Sequence, residues 1–244
     1  WAGYAKHHLP NYSVFDEYRN FVPGDQSINF ELEGLKFSIL ICEDIWQSGG
    51  PVAEIAKRGT DVTLVLNGSP FQMEKDDRRL ELVQSLAKKQ QCAVAYVNLV
   101  GGQDDLVFEG DSMYVNASGQ VIQRLPKFTS MLSFVDITNK AVATSPTQPS
   151  QPPTDARAEV WQALVIGLQD YVTKNGFKSV ILGLSGGIDS AVCAAIAKDA
   201  LGSDRVFGVS MPSDYSSEHS KTDAFDLATR LGIEIRTEGI GEIV

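Results

Sequence analysis

Along the chain, apolar runs of strand length alternate with stretches whose apolar residues recur at helical spacing. Residues 35–41 (LKFSILI), 61–66 (DVTLVL) and 93–100 (AVAYVNLV) are near-continuous apolar runs, as strands covered on both faces require. Between them, 52–58 (VAEIAKR) reads as a short helix closed by Gly59. Residues 73–91 are long and charged, with Leu80, Val83, Leu86 and Ala87 at helical spacing. Shorter strands are predicted at 112–115, 121–125 and 131–135, with a turn at 116–119. Strand–helix–strand–helix–strand followed by hairpins predicts a layered α/β domain with mixed sheets.

The rhythm breaks at 139–153, which is rich in Pro, Ser and Thr and lacks large apolar side chains. That composition fits an extended linker, and a long surface loop would share it. Past it, 155–175 places Val160, Trp161, Leu164, Leu168 and Tyr171 on one helical face. A strand at 179–184, a helix at 189–201, a strand at 205–211, a helix at 218–231 and a strand at 234–237 complete the pattern. Repeated βαβ units predict a parallel, doubly wound sheet. The expected organisation is one α/β domain over 1–138, a linker over 139–153 and a second α/β domain over 154–244.

A length of 244 residues fits two domains. With Lys plus Arg at 21 and Asp plus Glu at 31, the formal charge is −10, which argues against a nucleic-acid partner. No apolar run approaches the roughly 18 residues of a membrane span, and the opening stretch from Trp1 does not read as a signal peptide. Cys42, Cys92 and Cys193 are odd in number and far apart, which suits a reducing, cytoplasmic setting. Cys92 and Cys193 fall on apolar faces and are expected in the core, while His7, His8 and His219 lack metal-ligand spacing and are expected on the surface.

Cys42 ends the run FSILI and precedes Glu43-Asp44. Nucleophiles and ligands in open α/β sheets sit just beyond the carboxyl ends of strands, so the place suits chemistry. A small buried hydrophobe is the other reading, and position alone leaves both open. The side chain of Glu43 is expected to point away from the thiol.

Lys6 in KHHLPNYSVFDEYRNF, then ICEDIW, NGSPF and Lys75 together resemble the nitrilase-type carbon–nitrogen hydrolases, specifically the glutaminase domain attached to NAD synthetases. The resemblance implies that Cys42 attacks a carboxamide, that Lys6 stabilises the oxyanion and that Glu17 supports the lysine. It also sets glutamine against Tyr12, Ser69 and Lys75, and expects a general-base glutamate upstream of Lys6. The physics is compatible, since a nearby ammonium favours the thiolate and can hold a developing oxyanion. Gly68, Glu74 and Leu99 depart from the family pattern without replacing a matched catalytic group.

Between the strand at 179–184 and the helix at 189–201 lies Ser185-Gly186-Gly187-Ile188-Asp189-Ser190. Paired glycines let the backbone turn sharply and aim N–H groups at one point, and the helix N-terminus adds its positive dipole end. The string lacks the Gly-Lys-Ser/Thr ending of a Walker loop. Asp189 would repel a polyphosphate unless a divalent cation intervened, which points to Mg2+; a plain turn with Asp189 as helix cap is the bland alternative. SGGIDS resembles the pyrophosphate loop of ATP pyrophosphatases, and SMPSDYSSEHSKTDAFDLATRLGI is similar to the NAD synthetase branch of that family. The implied ATP-binding residues are Gly183, Leu184, Ser185, Gly186, Gly187, Ile188, Asp189, Ser190 and Met211, with Asp189 as metal ligand. Ser210, Ser216 and Ser217 are further candidate contacts, and Asp223 and Asp226 are expected on a solvated face.

Together the two resemblances imply a partial nitrilase-like domain joined to a partial ATP-pyrophosphatase domain, cut from a longer chain and inactive by itself. The implied activity is a cytoplasmic, homo-oligomeric ligase. Glutamine hydrolysis would supply ammonia, and deamido-NAD activated by ATP and Mg2+ would accept it to give NAD, AMP and pyrophosphate. The alternative is a stand-alone amidase of small carboxamides with a vestigial nucleotide-binding domain.

Overall fold

Three parallel strands, β2 (Leu35–Ile41), β3 (Val62–Asn67) and β4 (Ala93–Asn98), form the centre of the first sheet. They belong to a computed structural model that describes residues 3–73, 75–137, 155–213 and 217–241, with the backbone alone at 75 and 76. The linker expected over 139–153 lies outside the described residues.

The described chain is α/β and divides into two units, Trp1–Val100 with Phe108–Thr154, and Gly101–Val107 with Asp155–Val244. In the first, β1 (Asn29–Leu32) pairs antiparallel with β2, while β7 (Met113–Val115) and β8 (Val121–Arg124) extend the other edge. The order is β1-β2-β3-β4-β7-β8. The crossovers are α1 (Gly50–Arg58) and α2 (Lys75–Gln90). Pro51 is tolerated in the first turn of α1 because its missing N–H would have no intrahelical acceptor. The two-stranded pair β5 (Val100–Gln103) and β6 (Leu106–Glu109) follows β4.

Period-two alternation divides the strand side chains between two faces. Leu40, Val65, Val94, Tyr96, Met113 and Val115 pack against Ile45, Ile55, Val83, Leu86 and Ala87, the last three from α2. Each such aliphatic burial contributes about 1.5–3 kcal/mol. The opposite face buries Val62 and Tyr114 with Leu64, Ala95, Val135 and Ile137. Residues 131–135 therefore do not make the expected strand: this segment lays Val135 on the sheet face instead of pairing with an edge. Arg79 of α2 is fully buried and donates from an Nη to Glu109 Oε1; burial pushes the Glu109 carboxyl up, against the pull of the guanidinium.

In the second unit, α3 (Ala156–Lys174) precedes the parallel strands β9 (Val180–Gly183), β10 (Val206–Ser210) and β11 (Glu234–Thr237), ordered β11-β10-β9. The crossovers are α4 (Ile188–Leu201) and α5 (Glu218–Leu231). The core joins Val172, Leu184, Ala194, Ala197, Leu201, Val206, Ala224 and Ala228. Ala163 and Val172 are the buried residues of α3, while Leu164 and Tyr171 are exposed, so its inward stripe is rotated from the one expected. Cys193 is exposed too, because α4 turns its alanines inward; Cys92 is buried as expected.

Candidate functional site

The parallel register of β2, β3 and β4 brings their carboxyl ends to one edge, with Ile41 opposite Leu66 and Asn67 opposite Asn98. At that edge the chain turns abruptly from β2 into a 3-10 helix, Cys42–Ile45. Cys42 has φ +43°, a left-handed conformation that costs a non-glycine residue about 1 kcal/mol or more. The sharp turn places the thiol at the strand end, buried on the wall of a cavity of about 350 Å³.

Lys6 and Glu17 line the same cavity. Lys6 Nζ donates to both carboxylate oxygens of Glu17 at 2.7 Å. The side chains are 13% and 21% exposed, so the pair is only weakly screened by solvent. Ala5, Leu9, Phe15, Phe21 and Ile41 supply apolar wall, and Gly68 closes the side next to Ser69. Thus Lys6, Glu17 and Cys42 come together although 11 and 36 residues separate Lys6 from Glu17 and Cys42 (17 − 6 and 42 − 6).

Tyr12 and Ser69 stand beside this cavity without forming its wall. The Tyr12 hydroxyl donates to Glu43 Oε2 at 2.9 Å; partial burial and that carboxylate push its pKa up to about 12. Ser69 is buried, and both its backbone groups are held by Asn98: Ser69 N–H donates to Oδ1 at 2.9 Å, and Nδ2 donates to Ser69 O at 3.2 Å. Lys75 begins α2, and its side chain lies outside the described residues.

Sequence reasoning missed Asp44 and Asn98 here, and took Glu43 only as a side chain pointing away from the thiol. Glu43 is buried and accepts from Tyr12 and from Gln47 Nε2, so its carboxylate belongs to the site's surroundings. Asp44 is fully buried, and Asn98 locks the turn after β3. The only sequence signal was acidic residues inside an otherwise apolar strand end. His7 and His8 are half-buried, not solvated: their rings meet edge to face at 4.5 Å, and burial beside His7 lowers the pKa of His8.

In the second unit, Gly183, Leu184, Ser185, Ser210, Met211, Pro212, Ser217, Ser220 and Lys221 line a cavity of about 470 Å³. Gly186, Gly187, Ile188, Asp189 and Ser190 form the turn and first helical turn beside it, and Asp189 is exposed. Ser190 Oγ donates to Gly187 O at 3.0 Å, and Gly187 N–H donates to Ser185 Oγ at 3.2 Å, which folds the loop on itself. Gly186 has φ +79°, and a Cβ there would come within 2.3 Å of Ser220 O. Only glycine fits, and it allows the first turn of α5 to close on the loop. Ser217 caps α5 by accepting from Ser220 N–H, so two helix N-termini border one cavity. Ser216 lies outside the described residues. Asp223 and Asp226 are exposed as expected. Among the described residues no cluster of three His, Cys, Asp or Glu could hold a metal, and no helix is long and apolar enough to cross a membrane.

Residues 2–146 match the carbon–nitrogen hydrolase family model. The chain belongs to that family. Residues 160–244 of this carbon–nitrogen hydrolase family member match the NAD synthase model. A glutamine-dependent NAD(+) synthetase of Acinetobacter baylyi is 45% identical over 98% of this chain and 43% of its own length. One of Aquifex aeolicus is 40% identical over 98% of the chain and 48% of its own. A solved glutamine-dependent NAD+ synthetase from Acinetobacter baumannii, in complex with ADP, is 43% identical with a TM-score of 0.91, covering 98% of this chain and 45% of that one. Each alignment runs through both family matches, so the resemblance read from the motifs is that of the glutamine-dependent NAD synthetases. The chain spans less than half the length of these relatives.

Proposed function

We propose that the protein is a ligase that makes NAD from deamido-NAD with glutamine as amide donor. The observation that carries this reading is the convergence of Lys6, Glu17 and Cys42 on one cavity, in a chain that also carries a glycine-loop cavity and aligns over nearly its whole length with glutamine-dependent NAD(+) synthetases.

In the first unit, the Cys42 thiolate attacks the carboxamide carbon of glutamine. The Sγ–C bond forms, and the carbonyl oxygen takes negative charge that the Lys6 ammonium stabilises. Collapse breaks the C–N bond and releases ammonia with a proton restored to nitrogen; water then cleaves the thioester to glutamate. Glu17 keeps the ammonium aimed. Tyr12, Ser69 and Lys75 bind the amino acid part of glutamine, and the Glu43 carboxylate beside Tyr12 offers a partner for its α-ammonium.

In the second unit, the nicotinate carboxylate of deamido-NAD attacks the α-phosphorus of ATP, pyrophosphate leaves, and ammonia displaces AMP from the acyl adenylate. Residues 183–190 and Met211 hold the nucleotide, with the α4 N-terminus facing its phosphates. Mg2+ fits Asp189, since this ion is held by one or two carboxylates plus phosphate oxygens, and it would neutralise pyrophosphate charge. A reducing, cytoplasmic setting agrees with three cysteines that are sparse and far apart in the chain, and the proposed assembly is a homo-oligomer. The amidase alternative leaves the NAD synthase match at 160–244 without a use.

The test supplies the complete gene product with glutamine, ATP, Mg2+ and deamido-NAD. NAD and pyrophosphate should both appear. Glutamine hydrolysis with neither product would overturn the reading in favour of the amidase.

A further inference from the structure

We propose that Asp44 is the positioning residue that sets Lys6 against Cys42; this rests on the glutaminase reading above. Asp44 is fully buried, and its two oxygens accept four hydrogen bonds. Oδ1 accepts from the backbone N–H of His7 at 3.1 Å and of His8 at 2.8 Å. Oδ2 accepts from the Tyr4 hydroxyl at 2.7 Å and from Ile41 N–H at 3.0 Å. Tyr4, His7 and His8 bracket Lys6, and Ile41 immediately precedes Cys42. One carboxylate therefore ties the lysine segment to the strand end that carries the thiol.

The tie is needed because the Lys6–Glu17 pair cannot supply it. Lys6 and Glu17 sit on the same N-terminal segment, so their ion pair aims the ammonium without fixing its distance from Cys42. Lysine is a flexible four-carbon stem, and its reach is set by where its backbone is held. Tyr12–Glu43 is a second bond between the two segments, but it attaches six residues beyond Lys6 (12 − 6). Packing agrees with the clamp: a Cβ on Gly50 would come within 2.8 Å of the His7 ring and 2.9 Å of the His8 ring, so α1 starts directly against this segment. A carboxylate offers about four acceptor sites, and all four are used. Asparagine in its place would turn one oxygen into a donor facing donors, losing two of the four bonds.

The test compares Asp44→Asn and Tyr4→Phe with the parent in the complete gene product. Tyr4→Phe removes one donor and guards against a folding failure of the first variant. A shift of about 1 Å between reacting groups costs roughly 10²-fold. Asp44→Asn should lower glutamine-dependent kcat by about that factor, with KM for glutamine changed less than about threefold. Ammonia-dependent synthesis should stay at the parent rate. In Tyr4→Phe, which keeps the Asp44 charge, the pH midpoint for iodoacetamide alkylation of Cys42 should rise as the ammonium withdraws, against a constant background of Glu17, Glu43, Tyr12 and Tyr96. In Asp44→Asn the loss of a negative charge two residues from the thiol opposes that rise, and kcat is the readout. Tyr4→Phe should lower glutamine-dependent kcat in the same direction by less. Unchanged alkylation and kcat in a folded variant overturn the clamp, as does an equal loss of ammonia-dependent synthesis. Should Asp44→Asn not fold, an unchanged Tyr4→Phe overturns it. Failure of the parent itself to hydrolyse glutamine would instead count against the glutaminase reading, since alkylation still reports the geometry.

Discussion

The ammonium of Lys6 lies 2.7 Å from each carboxylate oxygen of Glu17, and both side chains share a cavity wall with Cys42. A cation held by one carboxylate beside a thiol is arranged to receive negative charge as it develops on a bound carbonyl.

Replacing Cys42 by Ala removes the proposed nucleophile and leaves the second unit's cavity intact. In the complete gene product, glutamine-dependent NAD synthesis should vanish while ammonia-dependent synthesis persists. Parallel assays with the two nitrogen sources check this; normal use of glutamine by the variant would show that another group is the nucleophile.

Glu17→Gln keeps the shape of the side chain and removes its charge. The Lys6 ammonium then loses its partner in a poorly screened site, and loss of one aimed oxyanion donor costs about 10²–10³ in kcat. We expect a decrease toward the lower end of that range, because Lys6 itself remains. Steady-state glutamine hydrolysis measures it.

At Gly186 the backbone is left-handed and Ser220 O stands 2.3 Å from where a Cβ would be. Gly186→Ala must therefore displace the loop or the start of α5. Pyrophosphate release should be lost while glutaminase activity is retained, and the two assays on one sample separate these effects.

Arg79→Met leaves Glu109 buried without its cation. Breaking a buried pair in this way costs roughly 3–5 kcal/mol, to be read from urea unfolding. The pH sign follows from the carboxyl's raised pKa. A raised folded-state value means the native protein holds the proton longer than the unfolded chain, so stability falls as pH rises from about 4.3, the unfolded value, through the folded one. The variant should therefore lose more stability at pH 8 than at pH 4, and an equal loss at both would show that Glu109 is solvated.

Much of the secondary structure was legible because it is local. The helix over Glu218–Leu231 and the strand over Leu35–Ile41 have the bounds that periodicity predicts. Failures came where a partner far along the chain decides. Residues 131–135 read as a strand from their own pattern, but Val135 packs on the sheet face with Tyr114 while Leu132 and Phe134 are exposed. Cys193 has apolar neighbours in sequence, yet which alanines of α4 face β10 is settled only by packing.

The sequence by itself determined the two α/β patterns, the strand-end cysteine and the glycine loop between strand and helix, because each is a short string with its own conformational demand. Tertiary structure alone decided that Asp44 joins residues 4–8 to 41 and that Asn98 locks Ser69. Those are hydrogen bonds between segments distant in the chain, formed only when parallel strands bring their ends to one edge. An acidic or amide side chain carries no local mark of the distant N–H or ammonium it will meet.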